Sequence, residues 1–255
     1  MRKRVVVLLV AAVYSAIQAA GSGAEWATPS LLHPLGTDEY GRDALAVALL
    51  SAATSAAKGT AVAALAFALA FSCAVVRSWR QDSIIGDAID ATLLVLDSVP
   101  LLLWLLVLIV AFPHPPTVLA VGFSLGTLPF LGRVIAGELQ RQWHQPFVAA
   151  ARMSGASRMR IAMQTVLPNA LPVFRPVAIQ VLGSAAAAEG LIGLVGLGNR
   201  EQLGIGTLLI RGREHVLVHP QILIAALISV VLLFAALRGL ASAPAVVGGR
   251  LVSNQ

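Results

Sequence analysis

The feature that most constrains this chain is the run Gly59 to Val76, GTAVAALAFALAFSCAVV, closed by Arg77 and Arg80. It is long and continuous enough for a membrane-spanning helix, in which every backbone polar group is satisfied internally. Further apolar runs occupy Val5 to Ala20, Ile85 to Phe112, Thr117 to Leu131, Val173 to Leu197 and Val216 to Leu237. The whole sequence is 58% hydrophobic and 12% charged, with a mean hydropathy of +0.84. A soluble domain carries about 25% charged residues, and one soluble core could not hide this much apolar surface. A membrane β-barrel would show short alternating strands instead of these runs. The expected class is an all-α integral membrane protein of about six transmembrane helices.

Arg2, Lys3 and Arg4 precede the first run. That pattern suits either a signal peptide or an uncleaved first span, and the further spans downstream favour the anchor. The domain expectation is therefore an N-terminal anchor helix with the start of an outer loop over 1–30, and a domain with five further spans over 31–255. Placing the N-terminus in the cytoplasm puts 13 of the 18 Lys and Arg residues inside, as the positive-inside rule requires. The net charge of +6 thus reflects topology, and no nucleic-acid partner is expected. The single cysteine, Cys73, excludes an intrachain disulfide and is read as packing. The tail after Gly239 is small-residue-rich and expected to be mobile.

Two polar blocks interrupt the apolar pattern. The first, LLHPLGTDEYGRD (Leu31 to Asp43), falls on the outer face. Pro34 and Gly36 favour turns, and Asp38 is placed to cap a helix starting near Glu39 and running along the interface to Leu50. His33 and Asp38 are too few to make a metal site. The second block, Gly132 to Pro172, is cytoplasmic, and its portion from about 143 to 172 carries the pattern of a docking element. Pro146 suits a first helical turn, Ser154-Gly155 a helix end, and Met159, Ile161, Met163 and Val166 with Arg158 and Arg160 a second helix. Pro168-Asn169 should halt that helix before the next span. Small residues at Ala149, Ala150 and Ala151 permit close helix approach, and Phe147 and Met153 could fill a partner's groove. An amphipathic loop on the membrane surface remains the plainer alternative.

Four acidic residues fall in apolar runs. Glu189 and Asp97 lie deepest, where an ionisable group is costly and faces a cavity or a partner. For both, a pathway role and a helix-packing role stay open. Asp87 and Asp90 sit near the cytoplasmic end of their run.

The stretch FVAAARMSGASRMRIAMQTVLPNALP resembles the coupling-loop motif of ABC importer permeases, in the version of the oligopeptide/dipeptide/nickel branch. Gly155, Ala156, Arg160, Leu167, Pro168 and Asn169 follow the pattern. Ala149 stands where that branch writes an acidic residue, and Thr165 where it writes His. HPLGTDEYGRD resembles the segment between the first two spans of the second (C-type) permease of the same branch, and AEGLIGLVGLG (Ala188 to Gly198) resembles its fifth span. The ending ALRGLASAP departs from the family's close.

The resemblance implies a type I ABC importer permease-like fold in the bacterial cytoplasmic membrane. It implies an ATP-driven importer for peptides or nickel and other metal complexes, delivered by an extracytoplasmic substrate-binding protein. It implies a second homologous permease and two cytosolic ABC ATPase subunits, with the lipid bilayer around the spans. The ATPase-coupling loop would comprise Phe147, Ala149, Ala150, Ala151, Arg152, Gly155, Ala156, Arg158 and Pro168. The outer-loop motif would comprise His33, Pro34, Gly36, Thr37, Asp38, Gly41, Arg42 and Asp43, serving as a turn or as a contact for the binding protein or second permease. The sequence has no Gly-x4-Gly-Lys-Ser/Thr loop, so ATP and Mg are expected in the partner subunits, with no cofactor, metal or catalytic residue here. The rival class is a secondary active transporter that leans on Asp97 and Glu189.

Overall fold

The computed structural model describes residues 23–79, 84–112, 115–197, 202–241, 245–247 and 250–252. The anchor expected from Val5 to Ala20 lies outside the described residues.

Helix α1, Ala44–Trp79, is one continuous helix of 36 residues. Asp43 caps it, since its Oδ1 accepts the Ala46 N–H at 2.8 Å while its main-chain oxygen accepts that of Val47. This corrects the separate interfacial helix expected from Glu39. Asp38 is committed elsewhere, accepting the N–H groups of Tyr40 and Arg42 in a local turn.

The third apolar run is broken into α2, Ile84–Ser98, and α3, Leu101–Ala111, which bend by 88°. Pro100 explains the break: it lacks an N–H and disfavours helical geometry at Val99. Helix α4, Pro115–Trp143, continues well past Leu131, so the first part of the expected cytoplasmic loop is helical. Its last turns are tied by Glu138, which accepts from Arg141 and Gln142 at 2.7–2.8 Å.

Then come α5, Pro146–Met153, α6, Arg158–Ile161, a π-turn, Ala162–Val166, and α7, Leu167–Val195. Pro168 does not halt the chain as expected. It sits in the first turn of α7, and the π-turn before it takes up the extra residue, with the Leu167 N–H reaching back to Ala162. Helix α8, Ile205–Glu214, has no counterpart among the expected elements. Helix α9, Pro220–Ala241, begins at its proline, four residues later than expected. The tail forms an antiparallel pair, β1 Ala245–Val247 with β2 Arg250–Val252.

Among the described residues, four helices are long and apolar enough to cross a membrane, and the bent α2–α3 pair makes a fifth if counted as one span. These five match the five positions expected downstream of the anchor.

The chain divides into two compact units. One holds the described residues within Met1–Ala61, Phe112–Pro116 and Leu182–Arg238. In it, α8 lies against the end of α7 with backbones almost touching. A Cβ on Gly193 would collide with the backbone of Gly206, and one on Gly206 would meet the Glu189 carbonyl at 2.6 Å. The other unit holds the described residues within Val62–Ala111, Thr117–Val181 and Gly239–Gln255. Its core includes Leu105, Phe123, Leu131 and Ile135, with a small-residue face on α1 of Ala63, Ala66, Ala70 and Ala74. Small side chains of this kind let membrane helices approach closely.

Candidate coupling surface and charged sites in the spans

Helix α5 begins with Pro146 and ends at Ser154, whose N–H returns to Ala150. Gly155 then takes φ +77°, the left-handed conformation that suits glycine, and the chain reverses into α6. Ser157 caps α6 by accepting the Arg160 N–H. Val148, Ile161 and Val166 are buried together against Leu139, Trp143, Ala151 and Ala156. Full burial of three such aliphatic side chains contributes about 5 kcal/mol or more, enough to hold the loop as one piece. Trp143 is flanked by the guanidinium groups of Arg152 and Arg158, at 5.7 and 5.9 Å from its ring.

The opposite side of this element is exposed. Phe147 is 38% and Met153 84% accessible, with Ala149, Ala150, Arg152, Gly155, Arg158 and Pro168 exposed beside them and Ala151 and Ala156 half-buried. The predicted helix–glycine–helix therefore forms, and it separates the predicted residues into a docked face and a free face.

The outer-loop residues are brought together by hydrogen bonds. Thr37 Oγ1 accepts the Ala27 N–H at 2.7 Å and donates to the Ala24 carbonyl at 2.6 Å. Asp38 takes the Arg42 Nε–H at 2.8 Å in addition to its two backbone donors. His33 Nδ1 lies 3.0 Å from the buried Asp43 carboxylate. Gly36 and Gly41 have φ of +71° and +68°, and a Cβ on either would strike backbone, that of Ala27 or Gly23. The polar residues of this block are thus largely internal, serving their own loop. Pro34 is exposed.

Glu189 is held at a junction of α1, α7 and the segment leading into α8. Ser55 Oγ donates to its Oε2 at 2.6 Å, and Lys58 Nζ to its Oε1 at 3.1 Å. Lys58 also donates to the Leu203 carbonyl at 3.0 Å, and Ser55 accepts the Ile205 N–H at 2.9 Å. Those contacts tie the start of α8 to the spans. Asp97 is paired with Arg133 through two hydrogen bonds, 2.8 and 3.1 Å, that link α2 to α4. Asp90 is paired in the same two-point manner with Arg77, and Asp87 is exposed in the first turn of α2.

Three partners escaped the sequence reading: Lys58, Ser55 and Arg133. Lys58 interrupts its apolar surroundings one turn after Ser55, and this spacing was the available signal. Arg133 gave none, because its partner lies 36 residues away.

Comparison with known proteins agrees with this geometry. Relatives with a peptide transport system permease name occur in Brucella suis biovar 1 and Brucella abortus biovar 1, each 26% identical over 73% of this chain and 63% of the relative. The D,D-dipeptide transport system permease protein DdpC, so named in Escherichia coli K12, is 30% identical over 74% of this chain and 63% of its own length. The chain thus spans somewhat less than two thirds of the curated relatives it matches. A chain of the inward-facing MetNI methionine ABC transporter superposes with a TM-score of 0.56 at 19% identity, covering 76% of this chain and 94% of that one; this is a likeness of fold. Residues 65–243 match the family described as binding-protein-dependent transport system inner membrane component. With most of its length inside that match, from the middle of α1 to the end of α9, the chain belongs to this family.

Proposed function

We propose that this chain is the transmembrane permease subunit of an ATP-driven importer that moves peptides inward from an extracytoplasmic binding protein. It works beside a second, similar permease and above two cytosolic ATPase subunits. The observation that carries the proposal is α5, a short helix with an exposed Phe147, Ala150 and Met153 face, packed by Val148 onto the end of α4 and onto Ile161 and Val166 of the segment that leads into α7. An ATPase groove that receives α5 would push both spans through a rigid core. The peptide assignment is favoured by the names of the relatives.

The mechanism is a two-state change in access. Closure of the ATPases favours one arrangement of the spans and release favours the other, so the path opens alternately to each side. ATP and Mg reside in the ATPase subunits, and this chain supplies the path and the lever. The N-terminus lies in the cytoplasm, on the side of α5 and of most basic residues.

Uptake of labelled peptide by cells expressing the assembled system separates this reading from a secondary transporter. ATP depletion abolishes uptake, and an uncoupler applied with ATP held constant leaves it within about twofold. Uptake that fails with the uncoupler and survives ATP depletion overturns the proposal.

A further inference from the structure

One residue before the outer-loop motif is held against its backbone preference. Trp26 has φ +55° and is the only non-glycine residue with positive φ among the described residues. A bulky side chain in that conformation is an outlier that persists only where its surroundings over-determine it. Here the surroundings are two histidines of the turn between α8 and α9. The Trp26 indole stacks on His219 at 4.0 Å between ring centroids, with the planes 13° apart. His215 meets the same indole at 4.9 Å and 41°. The turn closes on itself, the His219 N–H donating to the His215 carbonyl at 2.7 Å, and brings both imidazoles to one indole. All three residues are half-buried.

The stack ties two elements together. The Trp26 N–H donates to the Asp38 carbonyl at 3.2 Å and the Ala27 N–H to Thr37 Oγ1 at 2.7 Å, so the indole is anchored to the outer loop. On the other side, His215 closes the C-terminus of α8 and His219 directly precedes α9. A second tie runs beside the first: Arg211 Nε lies 3.2 Å from the Glu39 carboxylate, and its guanidinium covers the Tyr40 ring at 5.0 Å. An arginine is always charged, whereas histidine is the side-chain type that changes charge between pH 5 and 8.

The two imidazoles are set up differently. His215 Nδ1 lies 3.0 Å from the Arg211 carbonyl, which can only accept, so this nitrogen carries hydrogen in either charge state and Nε2 takes the added proton. The ring stands at the C-terminus of α8, an end that favours a cation. His219 Nδ1 faces the Gln221 amide nitrogen, a donor, at 3.4 Å, and stands at the N-terminus of α9, an end that does not. An imidazolium at His215 is within cation–π reach of the indole and holds it more tightly than the neutral ring does. A second imidazolium four residues on repels the first, so the stack takes one proton. The charged groups on the elements that meet here are Glu25 beside Trp26, Asp38, Glu39 and Arg42 on the outer loop, Arg211, Arg213 and Glu214 ending α8, and Arg238 at the far end of α9. Asp38 is paired with Arg42 and Glu39 with Arg211, while Arg213 donates to the Leu194 carbonyl at 2.6 Å. His33, also on the outer loop, faces Asp43. We propose that Trp26, His215 and His219 form a pH-sensitive latch: a proton on His215 fastens the outer loop to the α8–α9 turn, and its loss slackens the tie. The proposal goes beyond the importer reading and takes from it only the orientation, which exposes the latch to the pH of the outside medium.

The test compares the full chain in nanodiscs of neutral lipid at about pH 5.5 and about pH 8, on either side of the histidine range. Trp26 emission is the difference between each chain and its Trp26→Phe counterpart, since an imidazolium in contact quenches an excited indole. Amide exchange over 24–36, corrected for the intrinsic pH dependence of exchange, reads the tie itself. On acidification the parent loses Trp26 emission at least twofold and exchanges at least threefold more slowly. His215→Phe keeps a ring against the indole, cannot take a proton, and removes both responses. His219→Phe and His33→Gln keep them. Parent signals that are equal at the two pH values overturn the inference, as does a response that survives His215→Phe or is lost with His219→Phe or His33→Gln instead. These readouts need neither ATPase nor cargo, so a failed latch leaves the importer reading standing, and an assembled system without ATP-dependent uptake overturns that reading and not the latch.

Discussion

Replacing Glu189 by leucine tests the junction of α1, α7 and α8 in a way that magnitudes can decide. The substitution leaves Lys58 with only the Leu203 carbonyl and leaves the Ser55 hydroxyl without its carboxylate acceptor. Breaking a buried pair by removing one partner costs about 3–5 kcal/mol. The side chains here are 37% and 14% exposed, so solvent reaches Lys58 and lowers the cost to roughly 2–3 kcal/mol. In a domain of this size each kcal/mol moves the melting temperature by about 2–4 °C, which predicts a loss of roughly 5–10 °C for Glu189→Leu in detergent. Replacing both partners, Lys58→Met with Glu189→Leu, removes the stranded charge, and such replacements are often close to neutral. The double variant should therefore recover to within about 3 °C of the parent. Fluorescence-detected size-exclusion melting reads these shifts directly. A double variant at least as unstable as the sum of its single changes would show that the two residues are not coupled, and the account of this junction would fail. Peptide uptake per folded molecule should be retained by the double variant; its loss there would give Glu189 a role in the path instead.

The remaining predictions address the other elements. Asp43→Ala removes the cap of α1 and the partner of His33, and lowers stability by about 1–2 kcal/mol in the same melting assay. Gly193→Val meets the backbone of Gly206 and prevents accumulation of folded protein, whereas Gly137→Ala, with nothing within 4 Å of its new Cβ, accumulates normally in membrane fractions. Gly155→Ala forces a left-handed residue to carry a Cβ at a cost of about 1–2 kcal/mol, yet it keeps its open surroundings and co-purifies with the ATPase. A Gly155→Ala chain that melts unchanged would deny the positive-φ bend.

The spans and the loop were legible in the sequence because both signals are local. Long apolar runs fix helices, and Pro146, Ser154-Gly155 and the periodic Met159, Ile161, Met163 and Val166 mark a helix, a bend and a second helix. The errors fall where one residue has two possible roles. Pro168 reads as a stop, but in a first helical turn it needs no hydrogen on nitrogen. Asp38 and Asp43 are both plausible caps, and only the fold shows that Asp38 is engaged by Arg42. Pro100 breaks the helix from inside a run, Ile85 to Phe112, whose continuous apolar character reads as a single span. The pattern Ile205, Leu208, Leu209 and Gly212 has helical spacing and could have revealed α8, yet it is short and lies between two stronger runs. The ion pairs were hidden because their members are 36 and 131 residues apart, and a single sequence carries no record of such contacts.

The central claim is that α5 is where ATP-dependent force enters this subunit. Ala150→Arg tests it, since an arginine on the exposed face blocks close approach and leaves the docked residues Val148, Ile161 and Val166 untouched. The chain is purified in detergent with the ATPase and the second permease, with and without the substitution. The account predicts that the parent brings down both partners, and that Ala150→Arg keeps the second permease and an unchanged melting temperature while losing the ATPase at least tenfold. Retention of the ATPase by the variant, or a parent chain that binds no ATPase at all, would contradict it.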